Sequence, residues 1–185
     1  GTIILLSTIV IWFLSFFGWA DGSFGMLEED QMDCSILAKL GSLIAWIFTP
    51  IGWGNWQAAV ASVTGLVAKE NIVGTMGILY GGEATWGNMA AAFTGPAGLS
   101  FLLFNLLCAP CFAAIGAIKR EMNSRKWTWA AIGYQCGFAY VVSFVVYQLG
   151  KLFTGNVNIF GTILAFAVIV CFVWLLFRKP LKAVK

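Results

Sequence analysis

Two short runs of residues in this chain carry groups that could do chemistry. The first is Cys108-Ala109-Pro110-Cys111. On a continuous helix, positions i and i+3 share a face, so both sulfurs would point at one small volume. Pro110 has no N–H and frees the carbonyl of Leu106 from its helical bond. Two sulfurs, that carbonyl and the nearby side chain of Asn105 make a low-coordination cation site, and thiolates prefer softer transition metals to Mg2+ or Ca2+. The same cysteines also fit as small buried hydrophobes, and a C-x-x-C pair serves redox chemistry in other settings. The second run is Lys69-Glu70-Asn71, at the centre of an otherwise apolar segment. Ionisable groups at such depth point to function. Glu70 fits a metal ligand or proton carrier, and Lys69 fits its counter-ion or a gate. A mutually neutralising pair that anchors a helix break is the alternative, although adjacent helical residues do not face each other. Each is therefore expected to find a partner elsewhere.

Weaker signals surround these two. Met76 offers either a soft thioether ligand or a gap-filling core side chain. Cys136, Tyr140, Ser143 and Tyr147 recur at spacings of 4, 3 and 4 and share one helix face; they line a pathway or supply interhelical hydrogen bonds. Cys171, among Val, Ile and Phe, reads as filler. Several function classes are excluded. The 185 residues contain no histidine, which removes Ser-His-Asp and Cys-His catalysis. No G-x-x-x-x-G-K-[ST] phosphate loop is present. A net charge of +3 without a basic, aromatic-studded polar surface does not suit nucleic acid. The five cysteines are an odd set, four of them in apolar stretches, which does not suit a disulfide scaffold.

The elements that position these residues must lie in a membrane. Apolar residues make up 60% of the chain and charged residues 10%, against roughly 25% charged in a soluble domain. No charge occurs in 1–20, 40–68, 84–118, 127–150 or 152–177. Each stretch is at least as long as the ~18–20 residues a helix needs to cross ~30 Å of hydrocarbon. The chain opens inside an apolar run, Gly1-Thr2-Ile3-Ile4-Leu5-Leu6, without an initiator Met or a basic start, so it is expected to be the tail of a longer polypeptide.

Thr2–Trp19 reads as a first span ending in aromatics. Residues 20–35 hold Asp21, Glu28, Glu29, Asp30 and Asp33 and read as a polar loop. Ile36–Phe48, with Leu37, Leu40, Leu43, Ile44 and Ile47 at helical spacing, is predicted as a 13-residue helix, too short to span, lying along the interface or on the bundle. Thr49-Pro50 stops it, and Gly52 and Gly54 mark a turn. Residues 56–80 are predicted as two half-helices meeting near Lys69-Glu70, since irregular backbone at that depth must face protein or a water-filled cavity. After the Gly-rich stretch of Gly81, Gly82 and Gly87, Pro96–Ile118, Trp127–Leu149 and Val157–Phe177 read as three further spans.

Basic residues cluster in 119–126 and 178–185, an even number of spans apart, which places both on the cytoplasmic side. The loop at 81–95 is then external. The acidic loop is external if 56–80 is re-entrant and cytoplasmic if it spans, and Lys39 leans towards the former. Ala109, Ala113 and Ala117, and Gly133-x-x-x-Gly137, read as small-residue packing ridges. The expected fold is an all-α integral membrane domain over residues 1–185: a polytopic helical bundle with about four full spans, a short interfacial helix at 36–48 and a broken or re-entrant segment at 56–80.

Gly52-Trp53-Gly54-Asn55-Trp56-Gln57, Gly65-Leu66-Val67-Ala68-Lys69-Glu70-Asn71 and the run from Asn105-Leu106-Leu107-Cys108-Ala109-Pro110-Cys111 to Ile118 resemble the C-terminal membrane region of the bacterial ferrous iron transport protein B family. The likeness extends through Trp127-Thr128-Trp129 and Gly137-Phe138-Ala139-Tyr140. The resemblance implies a bacterial inner (plasma) membrane permease, multi-pass with a cytoplasmic C-terminus, containing the second of two gate regions akin to nucleoside-transporter folds. It implies Fe2+ as the transported substrate, and GTP with Mg2+ on an N-terminal GTP-binding domain. Neither that domain nor the first gate region is among these 185 residues. Membrane cysteines in the family are suspected of handling the iron, and Cys108 and Cys111 stand at that position.

On this reading Fe2+ enters from outside, sheds water onto Cys108, Cys111 and Glu70, and leaves towards the basic cytoplasmic side. Two thiolates and a carboxylate balance a divalent charge in low dielectric, yet the site must be weak enough to release its ion. Lys69, Asn71, Asn105, Met76, Cys136 and Tyr140 are the pathway or gate candidates. The implied partners are membrane lipid and the remainder of the same transporter, with a homo-oligomer left open and no nucleic acid; the chain itself is not expected to be an enzyme. Two alternatives stay open. An intramembrane thiol oxidoreductase would use Cys108 and Cys111, but needs a second redox pair that Cys34 alone does not supply. A nucleoside-type small-solute transporter would use polar groups near the break, such as Gln57 and Asn71.

Overall fold

The computed structural model describes residues 6, 9–10, 12–14, 16–20, 23–26, 35–65, 69, 71–80, 85–108, 111–155 and 158–178. Glu70, Cys34, Ala109 and Pro110 lie outside the described residues, as does the side chain of Asn71. Eight helices have assigned limits: α1 (Ile36–Phe48), α2 (Trp56–Gly65), α3 (Asn71–Leu79), α4 (Thr85–Ala92), α5 (Gly95–Leu107), α6 (Phe112–Met122), α7 (Arg125–Phe153) and α8 (Ile159–Phe177). Among the described residues, only α7 and α8 are each long and apolar enough to cross a membrane. Two further spans arise if each bent pair counts as one: α1 with α2, turned through 96°, and α4 with α5, turned through 97°. The architecture is a polytopic helical membrane bundle.

Each bend has a local cause. Ser35 caps α1 by accepting from the Ala38 N–H at 3.0 Å. Pro50 then sits in a 3-10 turn, Thr49–Ile51, and Gly52 closes it in the left-handed region at φ 97°. Only glycine fits there, because a Cβ on Gly52 would also collide with the Tyr147 ring. At the second bend, Thr94 is extended and Pro96 lies in the first turn of α5.

The core forms where the α1–α2 bend meets α5 and α7. Ile51, Trp53, Ala58, Ala61, Met76, Tyr80, Phe101, Phe104 and Ala139 pack together there. Phe48 stacks on Trp53 with ring centroids 4.3 Å apart, and Phe101 and Phe104 meet Trp53 edge-on at 5.1 and 5.4 Å. The fully buried Ser100 ties three elements, sharing its one proton between the carbonyls of Ile51 at 2.8 Å and Ser143 at 3.1 Å. α7 runs 29 residues, about 43 Å at ~1.5 Å per residue. This outreaches the hydrocarbon and lets Arg125, Lys126 and Lys151 approach its two surfaces.

Four sequence expectations are corrected. The end of the Thr2–Trp19 span is not helical: Phe17–Ala20 is strand β1, paired antiparallel with β2 (Ser23–Met26), Phe17 opposite Met26 and Ala20 opposite Ser23. The stretch from 20 to 35 is accordingly not all loop. The dipeptide between the strands, Asp21-Gly22, is a strong hairpin signal in any sequence. Pro96–Ile118 is not one span but α5 and α6, interrupted at Cys108–Cys111; a proline removes a helical N–H and disfavours helix in the residue before it. Finally, Gly133 and Gly137 face open space rather than a packed neighbour, because α7 turns other residues, Ala139 and Ser143 among them, towards α5.

Candidate functional site

Two interruptions meet in this fold. The first separates α2 from α3, and Lys69 lies within it as a turn residue, with its carbonyl accepting from the Ile72 N–H at 3.3 Å. α2 ends on Gly65, where a Cβ would come within 2.6 Å of the Ile72 side chain and 3.8 Å of Asn105 Oδ1. The absence of a side chain at Gly65 brings this interruption against the last turns of α5. Nearby, the Thr64 hydroxyl donates to the Ala61 carbonyl at 2.9 Å and lies 3.3 Å from the Thr75 hydroxyl across the gap.

The second interruption separates α5 from α6. The Cys108 N–H still donates to the Phe104 carbonyl at 2.7 Å, but its backbone has left the helix at φ −59°, ψ 166°. Cys111 is equally extended, at φ −57°, ψ 162°, and caps the start of α6. The two cysteines therefore stand at the ends of two helices rather than at i and i+3 on one face. This replaces the geometry expected of a continuous helix.

A helix that stops leaves its last carbonyls without N–H partners. Here Lys69 supplies them: its Nζ donates to the Leu106 carbonyl at 3.2 Å and to the Cys108 carbonyl at 3.4 Å. A cation at a helix C-terminus also meets the negative end of the macrodipole. Lys69 thus bonds across the chain, and one of its acceptors is the Leu106 carbonyl that Pro110 was expected to free. Asn105, one turn earlier, donates from Nδ2 to the Phe101 carbonyl at 2.8 Å. The Cys108 and Cys136 sulfurs lie 3.7 Å apart as reduced thiols, both half-buried.

The remaining candidates fall elsewhere. Met76 is buried in the aromatic core. Tyr140 donates its hydroxyl to the Ile47 carbonyl in the last turn of α1 at 2.7 Å. Along that same face of α7, the Ser143 carbonyl receives Ser100 and Tyr147 closes on Gly52. Among the described residues, no three Cys, Asp or Glu side chains gather tightly enough to hold a metal ion. The grouping that does form is the Lys69 ammonium on two backbone carbonyls, one of them belonging to Cys108, whose thiol meets that of Cys136. Sequence reasoning did not join Cys108 to Cys136, and a contact between residues 28 positions apart on different helices leaves no local pattern to find. It also passed over Asn55, whose Nδ2 donates to the Tyr80 hydroxyl, and Ser100, which looks like any small residue in an apolar run.

The profile of the Gate family, described as nucleoside recognition, matches residues 1–125. The chain is 38% identical over 155 residues to the Fe(2+) transporter FeoB of Staphylococcus aureus (strain COL), covering 83% of this chain and 22% of that protein. It is 38% identical over 159 residues to the Fe(2+) transporter FeoB of Methanocaldococcus jannaschii, covering 82% and 23%. A Porphyromonas gingivalis protein named as an Fe(2+) transport protein A/Fe(2+) transporter FeoB fusion is 30% identical over 198 residues, covering 83% and 23%. The chain therefore spans less than a quarter of each of these relatives. No solved structure matches.

Proposed function

We propose that this chain, which belongs to the Gate (nucleoside recognition) family, is the permease part of a ferrous iron transporter and carries Fe2+ across the bacterial inner membrane into the cytoplasm. The observation that carries this reading is the meeting of two interrupted helical segments at their interruptions, with Lys69 of one bonded to the carbonyls of Leu106 and Cys108 in the other. Broken helices whose exposed backbone faces a shared interior are how membrane transporters build ion sites. The similarity to proteins named Fe(2+) transporter supports iron as the ion.

In this proposal Cys108, Cys111 and Glu70 take up the ion as it sheds water. Two thiolates and a carboxylate neutralise a divalent charge that hydrocarbon would otherwise reject. Cys136 adds a third sulfur within reach of Cys108, and Asn105 and Asn71 flank the same interruptions. The basic residues at 119–126 and in the tail mark the cytoplasmic exit, and GTP binding belongs to another part of the transporter. The chain assigns no catalysis to itself. Replacing Cys108→Ser together with Cys111→Ser is expected to abolish Fe2+ uptake by the intact transporter while leaving its amount in the membrane unchanged. Full uptake by the double variant would refute the thiol site.

One observation favours a second reading. Thiols 3.7 Å apart at Cys108 and Cys136 are close enough for a dithiol that cycles as an intramembrane oxidoreductase. A Cys108–Cys136 disulfide trapped in growing cells, together with normal iron uptake when both are replaced by serine, would promote that reading over transport.

A further inference from the structure

We propose that the groove between α7, α8 and the Pro50 corner seats one acyl chain of an anionic phospholipid, whose phosphate is held by Lys151. The seat depends on the membrane bundle alone and stands whichever ion the bundle carries. Pro50, Tyr140, Val141, Phe144, Leu164 and Val168 line a cavity of about 290 Å3 with no polar surface in its wall. Tyr140 brings the only polar side-chain group among them, and its hydroxyl is spent on the Ile47 carbonyl at 2.7 Å. Such a wall offers nothing to a hydrated ion or a polar solute. Among the described residues, α7 and α8 are the two helices able to cross a membrane singly, and Leu164 stands exposed at the edge of the groove. The groove therefore opens onto hydrocarbon, where acyl chains are the solvent.

Charge decides which lipid. Tyr140, Phe144, Tyr147 and Lys151 follow one another at spacings of 4, 3 and 4 and so share one stripe of α7. The Tyr147 ring packs against Gly52, just past Pro50, and the Lys151 Nζ lies 5.3 Å from the centroid of that ring. The stripe thus runs from the apolar groove to an ammonium. At ~1.5 Å per residue, Phe144 and Tyr140 lie about 10 and 16 Å along α7 from Lys151. Half the hydrocarbon is ~15 Å thick, so a lipid whose phosphate meets Lys151 places the middle and end of its chain in the groove. Contact with a ring face leaves ammonium N–H groups to bond phosphate oxygens. No Asp or Glu follows Glu121 in the chain, so a headgroup of net negative charge complements this end of the α7–α8 pair better than a zwitterionic one. The seated chain ties the Pro50 corner to α8, which packs mainly on α7.

Photolabelling tests the seat on the purified intact transporter in phosphatidylcholine nanodiscs. The probes are traces of phosphatidylglycerol or phosphatidylcholine carrying a diazirine near the chain end, with labelled positions found by mass spectrometry. In the wild type, phosphatidylglycerol is expected to label 140–144 and 164–168 about fivefold more than phosphatidylcholine does, the effect of one basic residue on an anionic lipid. Lys151→Gln should bring that labelling down to the phosphatidylcholine level without changing labelling beside Arg178, at the other end of α8. Lys151→Arg should keep it, since the charge and the donors stay. Val168→Trp fills the groove and should lower labelling there by both lipids. Equal labelling by the two lipids in the wild type, or an unchanged phosphatidylglycerol signal in Lys151→Gln, would overturn the seat. A second copy of the chain crosslinking at Leu164 and Val168 in place of lipid would overturn it too, by making the groove an interface between copies. Fe2+ uptake plays no part in the readout, so loss of the seat leaves the permease reading standing.

Discussion

The bend after α1 and the interruption after α5 solve the same problem in opposite ways. Both stop a helix in an apolar segment and leave backbone carbonyls to be satisfied. After α1 the partners are neutral and fixed: Ser100 on the Ile51 carbonyl, Tyr140 on the Ile47 carbonyl, with Trp53 sealing the corner at 2% exposure. After α5 the partner is a charged, flexible lysine, and the flanking cysteines are half-buried thiols. The first corner is closed and holds the bundle together. The second is bridged by a charged side chain that comes from another interruption. The two interruptions thus differ in what satisfies their carbonyls, neutral hydroxyls at one and an ammonium at the other.

The contrast predicts that substitutions at the closed corner lower the folded fraction, whereas those at the lysine-held interruption alter ion handling. The largest effect is expected from Trp53→Ala, which removes the ring packed against Phe48, Phe101 and Phe104. A loss of about 3–5 kcal/mol should appear as a collapse of the thermal midpoint and of membrane yield. Next comes Gly52→Ala, which combines strain at φ 97° with overlap on the Tyr147 ring. Together these cost about 2–4 kcal/mol, again read as a lowered midpoint. Ser100→Ala is smaller, at about 1–3 kcal/mol for two buried carbonyls left short of a donor. Its uptake per folded molecule should equal that of the wild type. Selective loss of uptake in Ser100→Ala with an unchanged midpoint would break the division between the two regions.

Much of the fold is legible because its signals are local. The limits of α1 are written in a capping serine and a Thr49-Pro50 stop. The long charge-free runs mark α7 and α8 by length alone. The hairpin is hard to read because Phe17-Gly18-Trp19-Ala20 continues an apolar run, which outweighs the Asp21-Gly22 turn signal when only hydropathy is followed. The split at Cys108–Cys111 is hidden for a related reason. A single proline in an apolar run reads as loosening one helix, whereas one helix ends and another begins there. At the site, residue types pointed to Lys69 and Cys108, but their partners did not show. Lys69 reaches carbonyls 37 and 39 positions away, and backbone carbonyls carry no residue-type signature.

The most direct test of thiol-borne iron is X-ray absorption at the iron edge on the intact transporter loaded anaerobically with Fe2+. The account predicts sulfur in the first coordination shell of the wild-type protein, lost when Cys108 and Cys111 are both replaced by serine. A shell of oxygen and nitrogen alone, unchanged by that replacement, would contradict it.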